Sequence, residues 1–451
     1  MGQYYPFFKA YDVRAKVPDE LDAGLARRIG RAFVAELGAK TVVVGRDMRL
    51  SSEELADALI DGLTEGGADV LDIGLCGTEE VYYGTFSQNA DGGIMVTASH
   101  NPKDYNGLKF VREQARPISS DTGLFDIEKR AYDNDFAESA QTGERRPLDQ
   151  RDDYVRFLLD QIKPEQMKPL KIVANPGNGC AGLVAAALEG HLPFDIVRVH
   201  FEPDGHLPNG IPNPLLPENR DATATAVREH HADFGVAWDG DFDRCFFFDE
   251  RGEFIEGYYI VGLIAEMLLK MNPGQAIVHD PRLTWNTLAQ VEENGGRPVQ
   301  SKSGHSFMKQ TMREVDALYG GEMSAHHYFR DFSYADNGHL PWLVLAQLIS
   351  ETGKPLSTLV EERIAAFPAS GEINREIGDP DAALADLESH YGAAAQAVEH
   401  VDGLSMDFGD WRFNLRKSNT EPVVRLNVEA RGDIELMRAK TDELLERLGQ
   451  H

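Results

Sequence analysis

Short apolar runs, each ending abruptly in polar residues, alternate along this chain with stretches whose apolar positions return every three or four residues. Leu21, Leu25, Ile29 and Phe33 fall on one helical face, which predicts a helix after Asp19 running to about Leu37. Thr41-Val-Val-Val-Gly-Arg-Asp47 is then a continuous apolar run of the kind buried in a parallel sheet. A helix from about Ser52 to Gly66, a strand at Ala68 to Ile73 and a buried strand at Gly93 to Val96 follow, giving a βαβα pattern.

The pattern recurs twice. Leu170 to Asn175, Phe194 to Val199 and Phe234 to Trp238 repeat the three strands, and so do Ala276 to Asp280, Arg297 to Gln300 and Ala317 to Gly320. In each copy the third strand runs straight into a polar cluster: Ser99-His100-Asn101, Asp239-Gly-Asp-Phe-Asp-Arg244 and Glu322-Met-Ser-Ala-His326. Irregular spacing makes this a repeated domain and not a solenoid. Equivalent copies would each offer one loop at the carboxyl end of a sheet, where such sheets bind ligands. After about Pro368 the texture changes to alternating strands, Trp411 to Leu415 and Val423 to Val428. A helix starting near Asp433 closes the chain, with Met437, Leu444, Leu445 and Leu448 on one face and its end at Gly449. The expected fold class is α/β. Three repeated domains with mixed, mostly parallel sheets (1–145, 146–250 and 251–367) and a smaller C-terminal α+β domain (368–451) would surround a central cleft.

Composition narrows the function classes. Hydrophobic residues make up 42% and charged residues 26% of the chain, and no run of about eighteen apolar residues could cross a membrane. Met1 to Arg14 lacks the charged start and apolar core of a signal peptide. Cys76, Cys180 and Cys245 are odd in number and far apart, so neither a disulfide framework nor a metal motif is expected, and a reducing cytoplasm fits. A net charge of −29 argues against a nucleic-acid partner. Solubility, or a saline cytoplasm, accounts for the acidity. An anionic substrate would need a local basic site working against that field.

Four clusters carry chemistry. A hydroxyl where a buried strand enters a turn is fixed in place, which makes Ser99 a candidate nucleophile, although Ser, Asn and Pro102 are also ordinary turn residues. Asp239, Asp241 and Asp243 repel one another unless a cation lies among them, and all-oxygen ligands suit Mg²⁺. Glu250 falls where an EF-hand has its glutamate, but Arg244 replaces the required glycine and Cys245 to Phe248 reads as a strand. Glu322, Ser324 and His326 alternate, so they would share one side of an extended loop and suit vicinal sugar hydroxyls, with His327 facing away. Arg416-Lys-Ser-Asn-Thr-Glu-Pro-Val-Val-Arg425 has the composition of a phosphate cradle. Lys109, near a metal and an arginine, would have a lowered pKa suited to proton transfer, or else is an exposed strand-end lysine. Gly177-Asn-Gly-Cys-Ala-Gly182, with Glu202 some twenty residues on, matches the dinucleotide fingerprint, yet a tight glycine turn explains it equally.

Thr97-Ala-Ser-His-Asn-Pro102, Asp239 to Arg244, Gly321 to His326 and Arg416 to Pro422 occur in the order of the α-D-phosphohexomutase superfamily, which the chain resembles from Lys9-Ala-Tyr-Asp-Val-Arg14 to its last helix. Glu322 to Asp331 and Cys245 to Asp249 look most like its bacterial phosphomannomutase branch. The resemblance implies an isomerase that interconverts mannose 6-phosphate and mannose 1-phosphate, with glucose phosphates also used. It would work through phosphorylated Ser99 and a hexose 1,6-bisphosphate. Phosphoglucomutase or phosphoglucosamine mutase activity is the alternative; a nicotinamide oxidoreductase and a non-enzymatic metal-binding protein lie outside the class. By the same resemblance Asp239, Asp241, Asp243 and a Ser99 phosphate oxygen would hold Mg²⁺. His100 and Lys109 would serve proton transfer, and Arg244 would touch the transferring phosphate. Glu322 and Ser324, with His326, would bind the sugar, and Arg416, Ser418, Asn419, Thr420 and Arg425 the non-reacting phosphate. Tyr11, Arg14, Arg282 and His305 would make supporting contacts. A monomer or homodimer is expected. Ala15 and Ala325 stand where the family usually has glycine, and the second could narrow the sugar loop.

Overall fold

The structure, a computed structural model, describes residues 2–417 and 423–449. The chain gathers into two compact units, Met1–Phe254 with Asp331–Glu351, and Ile255–Arg330 with Thr352–His451.

In the first unit, a seven-stranded sheet runs in the order Val13–Lys16, Tyr105–Arg112, Gly92–Val96, Thr41–Arg46, Asp69–Leu75, Arg145–Pro147, with Arg116–Pro117 paired to Tyr105–Arg112. Thr41–Arg46 pairs in parallel with both of its neighbours, and the apolar run Val42, Val43 and Val44 is fully buried as such a central strand requires. Helix Ala23–Leu37 is capped by Asp22, three residues beyond the expected Asp19, because Leu21 is buried ahead of the helix. Asp22 accepts the Leu25 N–H at 2.7 Å, and Gly38, at φ +63°, ends the helix in the left-handed region. Leu25, Ile29 and Phe33 point into the core, each contributing about 1.5–3 kcal/mol by leaving water. A second sheet carries Cys245–Phe248, Phe234–Trp238, Leu170–Asn175 and Phe194–Arg198 in that order. The returning segment Asp331–Glu351 belongs to the same unit. Gly338 accepts the Trp238 indole N–H at 2.8 Å and donates its own N–H to buried Glu79 at 2.6 Å, and Gln347 accepts the Lys163 N–H at 3.2 Å.

In the second unit, Arg297–Gln300, Ala276–His279, Tyr319–Gly321 and His327–Phe329 lie side by side. Helix Gly257–Met271 is apolar nearly all round and is buried accordingly. The last sheet is antiparallel throughout, in the order Ile373–Glu376, Val423–Ala430, Trp411–Lys417, Leu404–Asp407, Ala397–Glu399. Helix Ile434–Leu448 packs Met437, Leu444 and Leu448 into the core of that sheet, while Leu445 is only partly buried. Arg412 and Glu429 bind the two sheets of this unit. Arg412 donates to the Glu429 carboxylate at 2.7 Å and to the Pro281 and Arg282 carbonyls at 3.0 and 3.1 Å.

The expected repeat is realised strand for strand. In each of the first three sheets the third strand of the copy lies beside the first, the second lies on the first strand's other side, and both pairings are parallel. The chain then reverses into an antiparallel strand against the third. Each polar cluster therefore sits in the same kind of turn, between a buried parallel strand and its antiparallel return.

Candidate active site

Ser99 opens the first of these turns, after Gly92–Val96. It is buried and holds φ +48°, a left-handed conformation that costs a non-glycine residue about 1 kcal/mol and persists where its surroundings impose it. Those surroundings are specific. The Ser99 N–H donates to Thr97 Oγ1 at 2.9 Å, and Thr97 in turn donates to Asp47 at 2.7 Å. Arg49, itself buried, donates to the carbonyls of Ser99, Asn101, Pro102 and Tyr105 at 2.6–3.0 Å. Arg14 donates to Asn101 Oδ1 at 2.5 Å and to Asp12 at 2.7 Å. Tyr11, half-buried, lies in the turn just before the Val13–Lys16 strand that carries Arg14.

The aspartate turn meets this one directly. Ser99 Oγ donates to Asp239 Oδ2 at 2.9 Å, and a Cβ on Gly240 would fall 2.5 Å from the Ser99 carbonyl oxygen, so only glycine lets the two backbones approach this closely. Ligand oxygens of Asp239, Asp241 and Asp243 all lie within 4.8 Å of one another. The turn sits between two antiparallel strands, which excludes an EF-hand. Thr78 donates to Asp241 Oδ2 at 2.7 Å, and Asp241 Oδ1 is buried with no hydrogen-bond partner among the described residues. Three hard oxygen donors with an unmatched buried lone pair are a donor set that fits Mg²⁺.

Charge in the cluster is balanced by Arg244 and Lys109. Arg244 donates to Asp239 Oδ2 through Nε at 3.0 Å and Nη2 at 2.7 Å, and to His100 Nδ1 at 2.6 Å. Burial alone would raise the Asp239 carboxyl; Arg244, His100 and Lys109 hold it well below the usual carboxylate range. His100 Nδ1 also lies 2.9 Å from Ser99 Oγ. Burial and then the Arg244 charge lower the His100 imidazole to about 4, so it is neutral at pH 7. Lys109 corrects an expectation. It sits within the Tyr105–Arg112 strand, is largely buried, and its Nζ lies 2.6 Å from Asp241 and 2.5 Å from Asp243. Burial favours the neutral amine, but the two carboxylates overcome that and raise its pKa instead of lowering it.

The glycine-rich stretch 177–182 has a structural reason. A Cβ on Gly179 would lie 2.7 Å from the Gly240 carbonyl oxygen, so this turn supports the aspartate loop from behind.

Glu322, Ser324 and His326 lie in the second unit, between Tyr319–Gly321 and His327–Phe329. They form a tight turn and not the expected extended loop: the Glu322 and His326 backbones are bonded at 3.0 Å, as are Ala325 N–H and the Glu322 carbonyl. The turn still brings the three side chains together, with His326 Nδ1 3.3 Å from Ser324 Oγ and 3.6 Å from Glu322 Oε2. Ala325 holds φ +70°, which explains why glycine suits the position. The Glu322 carboxylate accepts the Gly304 N–H at 2.8 Å and the Tyr328 hydroxyl at 2.6 Å; His305 follows Gly304 and starts helix His305–Val315. His327 faces the other way, as expected, and its Nδ1 lies 2.6 Å from the Tyr319 hydroxyl.

Burial lowers the His327 imidazole from 6.5 to about 3. Between those values the unfolded chain binds a proton that the folded one refuses, so stability falls as pH drops below 6.5, by up to about 1.4 kcal/mol per pH unit. Thermal melts at pH 7 and pH 5 should show a larger acid-induced loss for the wild type than for His327→Gln.

Arg282 is buried and paired with Asp280 at 2.8 and 3.0 Å, and Asp280 also accepts the Met323 N–H at 2.9 Å, tying this arginine to the Glu322 turn. Arg416 and Arg425 stand directly opposite each other on neighbouring strands, an arrangement that repels without an anion. Glu372 is that anion here: its carboxylate is 3.1 Å from Arg416, 3.5 Å from Arg282 and 3.6 Å from Arg425. Buried Nε atoms of Arg416 and Arg425 have no hydrogen-bond partner among the described residues. Ser418, Asn419 and Thr420 lie outside the described residues. Sequence reasoning missed Arg49, Thr78, Asp280 and Glu372. For Arg49 a signal existed, since Arg46-Asp-Met-Arg49 is a charged cluster straight after a buried strand, as in the other loops.

Comparison with known proteins covers nearly the whole chain. Profiles of the phosphoglucomutase/phosphomannomutase alpha/beta/alpha domains I, II and III match residues 6–138, 152–252 and 256–367, and the profile of the C-terminal domain matches 372–446. A protein of Xanthomonas campestris pv. campestris described as phosphohexose mutases is 58% identical over 97% of this chain and 98% of its own length. The phosphomannomutase of Escherichia coli (strain K12) is 56% identical over 98% of this chain and 99% of its own. The crystal structure of a phosphoglucomutase/phosphomannomutase family protein from Burkholderia thailandensis superposes with a TM-score of 0.87 at 35% identity, covering 98% of this chain and 96% of that one. Matches to all four family domains, with identities of 58% and 56% over nearly the whole length, show that this chain belongs to the phosphoglucomutase/phosphomannomutase family.

Proposed function

We propose that this protein interconverts mannose 6-phosphate and mannose 1-phosphate in the cytoplasm, and acts on the corresponding glucose phosphates as well. The observation that carries the reading is the Ser99 hydroxyl, held 2.9 Å from Asp239 in a buried cluster of three aspartates, a lysine and an arginine. Phosphorylated Ser99 donates its phosphoryl group to the free hydroxyl of a hexose monophosphate. The Ser99 O–P bond breaks as the sugar O–P bond forms, and the hydroxyl proton leaves to a base. The product is a hexose 1,6-bisphosphate, which turns over and returns its other phosphate to Ser99. Phosphoryl transfer is mostly positioning and charge neutralisation. Arg244 and Lys109 supply fixed positive charge beside Ser99, and neutral His100 adjoins its oxygen as a proton carrier. Asp239, Asp241 and Asp243, with a Ser99 phosphate oxygen, would hold Mg²⁺, which when bound neutralises charge on the transferring group.

The four family domains divide the labour: the first carries the phosphoserine, the second the metal, the third reads the sugar through Glu322, Ser324 and His326, and the fourth grips the non-reacting phosphate through Arg416 and Arg425. Side-by-side turnover of mannose 1-phosphate, glucose 1-phosphate and glucosamine 1-phosphate, with a trace of bisphosphate, tests the reading. Mannose and glucose phosphates should turn over with Mg²⁺ and stop with a chelator. Turnover of the amino sugar alone would assign the chain to a different mutase.

A further inference from the structure

The acids around the arginines of the second unit are not equivalent. Asp280 is fixed by two backbone N–H groups, those of Arg282 and Met323, both at 2.9 Å. Glu322 is fixed by the Gly304 N–H and the Tyr328 hydroxyl. Glu372 has no such anchor: among the described residues every hydrogen bond and ion pair of its carboxylate goes to an arginine. Its backbone, in contrast, is held. Asn427 donates to the neighbouring Gly371 carbonyl at 3.0 Å, and Ile373–Glu376 pairs with the strand that carries Arg425. A firmly placed backbone thus presents a carboxylate held, among the described residues, by arginines alone: Arg416 and Arg425, which would grip the phosphate, and Arg282 beside them.

Resting on the reading of these arginines as a phosphate clamp, we propose that Glu372 is a built-in counter-anion that competes with the substrate's non-reacting phosphate for Arg282, Arg416 and Arg425. The carboxylate keeps the opposed arginines together when no phosphate is bound, and it weakens the grip when one is. Weak grip matters in this reaction. A hexose bisphosphate must leave the clamp, turn and re-enter it in every cycle, so a clamp that bound phosphate as tightly as three guanidinium groups allow would slow that step.

The test is calorimetric titration of inorganic phosphate into the full-length protein, with steady-state kinetics alongside. Glu372→Gln should bind phosphate roughly tenfold more tightly, with a lower KM for hexose phosphate and a lower kcat. Glu372→Asp, which withdraws the charge by one methylene, should shift affinity in the same direction by a smaller factor, and decides the matter if the glutamine variant does not fold. Unchanged or weaker phosphate binding in both overturns the proposal. Arg416→Ala separates the two layers: if it leaves phosphate affinity unaltered the clamp itself is misassigned, whereas a loss there with no gain in Glu372→Gln refutes only the counter-anion.

Discussion

Ser99→Ala should abolish mutase turnover, by roughly 10⁴-fold or more, because the oxygen proposed to carry the phosphoryl group between the two ends of the sugar is gone. The variant still folds. Asp239 keeps its three bonds from Arg244, one from the backbone N–H and two from the guanidinium, and alanine takes up φ +48° at a cost similar to that of serine, so the loss of stability is about 1–2 kcal/mol from one hydrogen bond to a buried carboxylate. Turnover of mannose 1-phosphate and a circular-dichroism melt check the two halves. Intact mass before and after phosphatase adds a third readout, since only the wild type has an oxygen at position 99 to dephosphorylate. Activity within tenfold of wild type would rule out the covalent route.

Arg49→Met produces the largest loss of stability, about 3–5 kcal/mol, although residue 49 touches no reacting atom. Its guanidinium is nearly inaccessible to water and satisfies four main-chain carbonyls across the Ser99 turn and the start of the return strand. Burial lowers its pKa, and Asp47 at 3.5 Å opposes that shift. Methionine fills the volume but takes away all four bonds: the Ser99 carbonyl is left as a buried acceptor, the Asn101 and Tyr105 carbonyls are only partly open to water, and the Pro102 carbonyl keeps the Tyr105 N–H. Urea denaturation of the full-length protein should show the fall in midpoint, and kcat should drop with it because the turn that presents Ser99 loses its brace. A change below about 1 kcal/mol would mean that the turn holds itself.

The strands that frame the site were legible because a strand buried on both faces must be apolar throughout. Val42 to Val44, Ile172 to Ala174 and Phe234 to Trp238 each read that way, and each leads into the polar turn that follows it. The clusters were legible for the same reason: polar residues at the mouth of a buried strand are costly unless they have work to do. What stayed hidden depends on contacts between distant segments. Lys109 reads as an amine of lowered pKa until Asp241 and Asp243 are seen beside it. Alternation suggested an extended loop at Glu322 to His326, but the return strand His327–Phe329 leaves room only for a tight turn. Glu372 is a lone acid near a change of texture, and nothing local reveals that it faces three arginines, two from the last sheet and one from the turn after Ala276–His279.

The path of the chain through its two units has a consequence for how the protein is made. Phe254 completes most of the first unit, but Asp331–Glu351, which supplies the Gly338 and Gln347 contacts to that unit, emerges from the ribosome only after the intervening stretch 255–330. At roughly 5–20 residues per second, the half bearing Ser99 waits several seconds with the surface around Trp238 and Glu79 uncovered. A fragment cut at residue 254 would lack the Gly338 and Gln347 contacts altogether, so a truncated unit bearing Ser99 should be less stable than the same unit in the full chain.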